Sequence, residues 1–232
     1  MKKILLALCV AAIAGAVWWQ TRPSAFDTGT PLLSSGAPID LLAGLDPQAL
    51  PTGWVHRQFL TISAADYSMT EDGGAPALHC KTDNSASILA RDTQIALSDL
   101  PILSWRWKVV QPIDSDVDED TRGGDDHPVR FFAVFSNVGG ERRAMEIIWS
   151  NQKYAPGDYK IIDGFYHYVA NGLAENVGQW HTHSVDLRQL YTDIGGTGTP
   201  ILETLGFFCD SDNTGTKSEG LFADVRLSPE GA

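Results

Sequence analysis

Seven carboxylates crowd into the thirteen residues from Asp114 to Asp126, against a single cation, Arg122. The alternate spacing of Asp114, Asp116, Asp118 and Asp120 would send successive carboxylates toward a common centre if the loop curls, which is how calcium loops gather hard oxygen ligands. The helix-loop-helix calcium pattern itself is not met. Glu119 stands where glycine makes the sharp turn, and Asp125 replaces the bidentate glutamate. A structural calcium ion held by Asp114, Asp116, Asp118 and Asp120 and a merely solvated acidic loop both fit. No other cofactor is called for.

The run ends at a junction of a different kind. Asp125, Asp126 and Arg130 sit where loop enters strand, so that loop chemistry meets a rigid scaffold. Asp126 could accept hydrogen bonds from ligand hydroxyls while Arg130 donates its planar fork. An Asx-type turn with a local ion pair is the alternative. Asp210, Asp212 and Asn213 form a second polar cluster at a strand end. Turn chemistry accounts well for Asn213 and Thr214 and less well for Asp210, so Asp210 and Asp212 are ligand candidates, as is Asn151. Aromatic rings stack on the C–H face of a pyranose and leave its hydroxyls to Asp, Asn and Arg. Tyr154 and Tyr159 flank the Pro156-Gly157-Asp158 turn and suit that role, whereas Trp105, Trp107 and Trp149 read as core.

Catalysis has less to stand on. No spacing singles out the two carboxylates a glycosidase needs, and there is no Gly-x-Ser-x-Gly elbow. His181 and His183 share a strand face and could share a metal, without a third ligand evident. The Gly195-Gly196-Thr197-Gly198 stretch lacks the helix and lysine of a phosphate loop.

The elements that must position these residues are short strands. Ten apolar-rich runs recur between Trp54 and Leu227, separated by Gly, Pro, Asn, Asp and Ser clusters, and long helical patterns between them are missing. That spacing predicts an all-β antiparallel sandwich or jelly roll with one short helix, from about Asp186 to Tyr191. Tyr159 to Ala170 is read as one strand. Alternation places Leu103, Trp105, Trp107 and Val109 on one face and Arg106 on the other, while Arg130 and Glu146 oppose Phe131 and Ile147. If these strands are neighbours, Arg106, Arg130 and Glu146 share one sheet surface. Such a charged band is either a solvated face with cross-strand ion pairs or the concave surface of a binding module.

Lys2 and Lys3 followed by an apolar run to Val17 read as a signal peptide over residues 1–16, with Ala14-Gly15-Ala16 as the cleavage pattern. An uncleaved N-terminal anchor reaching to about residue 20 is the alternative. The protein is thus expected to be periplasmic or secreted, or else anchored in the inner membrane and facing the periplasm. Residues 21–50, with prolines at 23, 31, 38 and 47, are expected to form a tether before a β-sandwich domain over 51–228. Loss of the first sixteen residues removes two of seventeen cations and takes the formal charge from −12 to −14. Such a chain does not coat nucleic acid, and its contact with a membrane would be through the N-terminal segment alone. At 43% hydrophobic and 20% charged residues, it can fill a core. Cys80 and Cys209 remain, and could pair in an oxidising compartment or stay as two buried thiols.

The segment from Leu100 to Val109, Leu-Pro-Ile-Leu-Ser-Trp-Arg-Trp-Lys-Val, resembles the central signature of the family called domain of unknown function 3047. Further blocks fall in matching order: Leu50-Pro51-Thr52-Gly53-Trp54, Asn84-Ser85-Ala86-Ser87, Gly124-Asp125-Asp126 with Arg130, Ile148-Trp149-Ser150-Asn151, Gly178-Gln179-Trp180, and Asp210 to Gly215. The resemblance covers roughly residues 50 to 228 and implies an exported bacterial jelly-roll-like domain similar in shape to carbohydrate-binding modules. It implies no activity. One departure is His127-Pro128, where an aromatic and a small residue are more usual. The expectation is a β-sandwich that binds a polysaccharide or other polar small molecule without catalysis, through Arg106, Asp126, Arg130, Glu146, Asn151, Tyr154, Tyr159, Asp210 and Asp212. A lyase or hydrolase on the same scaffold and a structural protein of the periplasm are the alternatives.

Overall fold

Period-two alternation builds both layers of the molecule. A computed structural model describes residues 25–231; the signal peptide expected at 1–16 and its anchor alternative lie outside the described residues. The strands are β1 (Leu32–Leu33), β2 (Ile39–Asp40), β3 (Trp54–Gln58), β4 (Asp66–Asp72), β5 (Ala75–Asp83), β6 (Ala86–Ala96), β7 (Ile102–Gln111), β8 (Arg130–Asn137), β9 (Arg142–Ser150), β10 (Tyr159–Ile162), β11 (Phe165–Gly172), β12 (His181–Asp186), β13 (Pro200–Asp210) and β14 (Lys217–Ser228). One helix, α1 (Leu187–Asp193), follows β12, with Asp186 capping it through the Arg188 amide.

Eight strands form one sheet in the order β1-β6-β13-β8-β9-β11-β10, with β3 also on β6. Six form the other, β12-β7-β14-β5-β4, with β2 also on β14. Pairing is antiparallel except for β1 with β6 and β9 with β11. Between the sheets lies the main core, where Trp105 and Trp107 of β7 meet Phe131 of β8, Trp149 of β9, Phe207 of β13 and Phe222 of β14. The Trp105–Phe131 and Phe207–Phe222 rings stand 5.3 and 5.1 Å apart, edge to face. Cys80 of β5 and Cys209 of β13 are joined as a disulfide, tying one sheet to the other at a Cα separation of 6.6 Å.

Three sequence expectations need correction here. The stretch from Phe26 to Leu50 is no tether. β1 joins one sheet and β2 the other, Leu41, Leu42 and Leu45 are buried in the main core, and Thr28 hydrogen-bonds Asp92. Two-residue strands separated by prolines carry no alternation to detect. Tyr159 to Ala170 is a hairpin, turned at Asp163 and Gly164, both at positive φ (51° and 82°). Finally, β7 and β8 are not neighbours: β7 lies between β12 and β14 in the smaller sheet. Arg106 therefore projects from the opposite side of the sandwich to Arg130.

On the outer face of the larger sheet, Phe26, Ala86, Ile88, Ala90 and Phe208 form a second, smaller cluster, with Phe59, Ile62 and Phe132 against it. This cover stops short of β9 and β11, and a cleft opens beside it.

Candidate functional site

Strand register brings the polar wall of the cleft together. Arg130 on β8 stands opposite Phe208 on β13 and Ile148 on β9. Glu146 on β9 lies between Phe132 and His167 of β11, and Lys160 of β10 pairs with His167. All project from the face opposite the tryptophan core. The cleft holds about 390 Å³, within the usual range for small-molecule sites. Asp125, Arg130, Glu146, His167, Asp210 and Asp212 line one side; Phe59, Ile62, Ile162, Phe165 and Phe208 supply the apolar surface.

Arg130 is the hub, 3% exposed. One terminal nitrogen donates to Glu146 Oε2 at 2.7 Å and the other to Asp210, while the guanidinium lies 3.7 Å from the Phe208 ring centroid. Burial works against its charge, but Asp210, Glu146 and Asp125 outweigh burial and raise its pKa. The same burial pushes the Glu146 and Asp210 carboxyls up, Asp210 strongly, with Arg130 opposing in both cases.

A second layer backs the hub. Lys160 is wholly buried, which lysine accepts only when paired. Its ammonium meets Asp125 Oδ1 at 2.6 Å and His127 Nε2 at 2.9 Å. His127 Nδ1 stands 2.6 Å from the Trp149 carbonyl and must donate to it, so Nε2 is left as the acceptor for Lys160 and the ring is neutral. Burial, then the Lys160 charge, hold its pKa far below the usual value, in agreement. His167 presents Nε2 to Asp125 at 3.5 Å and Glu146 at 3.4 Å; burial draws it down to about 4. For Asp125, burial opposes ionisation, yet the charges around it, the Arg130 guanidinium and the adjoining Lys160 ammonium, outweigh burial and hold the carboxyl well below the normal range.

The cleft thus gathers Arg130, Glu146, Asp210 and Asp212 from among the residues expected to bind. The others lie elsewhere. Arg106 pairs with Asp224 at 2.6 Å and lies over Trp180, on the smaller sheet. Asp126 is wholly buried as a loop latch: Asn213 N and Nδ2 reach one oxygen at 3.2 and 3.1 Å, and Thr214 N and Oγ1 reach the other at 2.7 and 2.6 Å. Four donors fill the lone pairs a ligand would need. Asn151 holds the Asp126 carbonyl at 2.6 Å. Tyr154 donates to Asp120, and Tyr159 to Asp193 at 2.8 Å.

The alternate carboxylates do not converge. Asp118 and Asp120 both close on Lys153, and Asp114 and Asp116 are exposed. The loop is pinned instead by buried Glu119, which accepts from Ser150 Oγ at 2.7 Å and the Asn151 amide at 2.8 Å. Gly124 is required there, because a Cβ would stand 2.3 Å from the Asp118 carbonyl oxygen. Among the described residues, the trio of carboxylates that gathers is Asp126, Asp210 and Asp212, with oxygens within 4.8 Å of one another. His181 bonds the Asn176 carbonyl and His183 packs between Trp105 and Trp107.

Sequence reasoning missed Lys160, His167 and the apolar wall as site residues. Splitting Tyr159 to Ala170 at Asp163-Gly164 and continuing the alternation would have placed Lys160 and His167 beside Glu146.

A family model described as "Protein of unknown function (DUF3047)" matches residues 52–226. Among solved structures, the chain is similar to the family 11 carbohydrate-binding module of the cellulosomal cellulase Lic26A-Cel5E of Clostridium thermocellum, at 9% identity and TM-score 0.43, covering 84% of this chain and 96% of that one. It is also similar to the xyloglucanase domain of NopAA, a type three effector from Sinorhizobium fredii, at 9% identity and TM-score 0.40, covering 78% and 95%. Likenesses at this level assign no ligand and no activity. No curated protein matches.

Proposed function

The chain belongs to the family described as protein of unknown function DUF3047, and from that premise we propose that it is an exported glycan-binding β-sandwich that holds its ligand without cleaving it. One observation carries the reading: a cleft of ligand size sets aromatic rings, Phe59 and Phe165, against a wall of hydrogen-bonding charged groups. A sugar ring has the same division between C–H faces and rim hydroxyls. The Arg130, Glu146 and Asp210 part of that wall is buried and mutually paired, hence preorganised, so little ordering cost falls on binding. Export, to the periplasm or beyond, is supported by the N-terminal segment and by the Cys80–Cys209 disulfide, since such bonds persist in oxidising compartments.

Affinity electrophoresis against neutral, acidic and amino polysaccharides tests this. Retention by at least one is expected, with Phe165→Ala weakening it by about tenfold. Passage of the wild-type protein unretarded through the whole panel would overturn the reading.

A hydrolase is the second reading, favoured by one feature. Burial raises Glu146 while its neighbours lower Asp125 within the same cleft, the divergence that general acid–base pairs require. Release of reducing ends from a polysaccharide the protein binds would establish it.

A further inference from the structure

Charge in the cleft does not balance. Its lining carries the carboxylates Asp125, Glu146, Asp163, Asp210 and Asp212 against two cations, Arg122 and Arg130. Arg122 is taken by Asp163 at the rim, and Arg130 is shared by Glu146 and Asp210. Behind the wall, Lys160 serves Asp125. Asp212 is left over. No ion pair reaches it among the described residues, and its carboxylate lies within 4.8 Å of oxygens of Asp126 and Asp210. Burial and the Asp126 charge push its carboxyl up, as expected of an acid short of a positive partner. A second, independent vacancy has the opposite polarity. The Arg130 side chain is 4% exposed, yet its Nε–H finds no acceptor in the protein.

The missing partner must therefore bring a positive charge to Asp212, a neutral oxygen acceptor to Arg130 Nε, and an apolar face to Phe59 and Phe165. A uronate fails, because its carboxylate would enter a cavity already in negative excess. A neutral hexose leaves Asp212 unanswered. Deepening the glycan reading above, and resting on it, we propose that the cleft selects a sugar bearing a free protonated amine, a hexosamine unit without its N-acetyl group. Asp212 faces the ammonium, Arg130 Nε–H donates to a ring or hydroxyl oxygen, and the phenylalanine rings cover the C–H face.

Isothermal titration calorimetry with three tetramers of equal length tests the charge: glucosamine, N-acetylglucosamine and glucose, all β-1,4-linked. The glucosamine tetramer should bind at least about tenfold tighter than either neutral one, the gain of a charge-assisted contact. Asp212→Asn should erase that preference. Equal binding of all three tetramers to the wild-type protein overturns the amine and leaves the glycan reading standing, and this comparison needs no variant. A preference that survives in Asp212→Asn overturns the role of Asp212. Spermidine supplies ammonium groups without a ring. If it binds as tightly as the glucosamine tetramer, the sugar is overturned; if no tetramer binds at all, the amine proposal falls, while the glycan reading is decided by the polysaccharide panel.

Discussion

His167 is held neutral in a place that gains from its neutrality. Lys160 is its cross-strand partner and the Arg130 charge also bears on it, so a proton there would add a third cation to a buried cluster. Burial, opposed by Asp125 and joined by Lys160, draws its pKa from 6.5 down to about 4. Between those values the unfolded chain binds a proton that the folded chain does not. The contribution of His167 to stability is therefore complete above about pH 6.5 and is lost as pH falls to about 4, on the order of 3 kcal/mol in all. The raised Glu146 and Asp210 act in the opposite sense, so the wild-type profile alone does not isolate the histidine. Comparison with His167→Gln does. From urea denaturation, the stability of wild type minus variant should shrink steadily from about pH 7 to 4; a difference flat with pH would mean that the ring is not buried in its neutral form. The residues of this cluster were only partly legible beforehand. Arg130, Glu146 and Asp210 announce themselves as charges on strands. Lys160 and His167 do not, because a buried lysine between isoleucine and tyrosine reads as a solvated face until its partners are known.

At the scale of elements, the cleft depends on two loops that are latched rather than free. The segment after β13 is held to the entry of β8 by the four hydrogen bonds into Asp126. Asp126→Ala should cost on the order of 1–3 kcal/mol, because it strands two backbone amides along with the side-chain donors. Hydrogen exchange at Asn213 and Thr214 should quicken while β8 amides keep their protection. Quickening throughout β8 instead would show that Asp126 props the strand itself. Alternation along β7, β8 and β9 identified which side chains face the core in each. It carried no information on which strands are neighbours, and Arg106 was misplaced for that reason. β4 escaped notice because Asp66 to Asp72 is a polar edge strand, paired on one side by β5. The acidic loop shows the reverse failure. Its conspicuous alternation from Asp114 to Asp120 is a surface feature tied by Lys153, and the one buried carboxylate of that stretch, Glu119, broke the pattern that drew attention to it.

For the molecule as a whole, the Cys80–Cys209 link spans 129 residues and joins the two sheets directly behind Asp210. Closing a loop of that length restricts the unfolded chain by about 5 kcal/mol in the loop-entropy description, an upper figure. Replacing both cysteines with alanine should lower stability by several kcal/mol, and adding reductant to the wild type should lower the melting temperature toward that of the variant. Insensitivity to both would mean that the sheets are held by packing alone.

The smaller sheet has a further consequence. Its middle strand, β14, is the last of the described strands, flanked by β7 and β5, and it also pairs with the much earlier β2. A polypeptide that emerges N-terminus first cannot assemble this layer piecemeal. Until Lys217–Ser228 has appeared, three earlier strands wait with open edges and nothing between them. The layer becomes able to close only once Lys217–Ser228 is available, and at no shorter length.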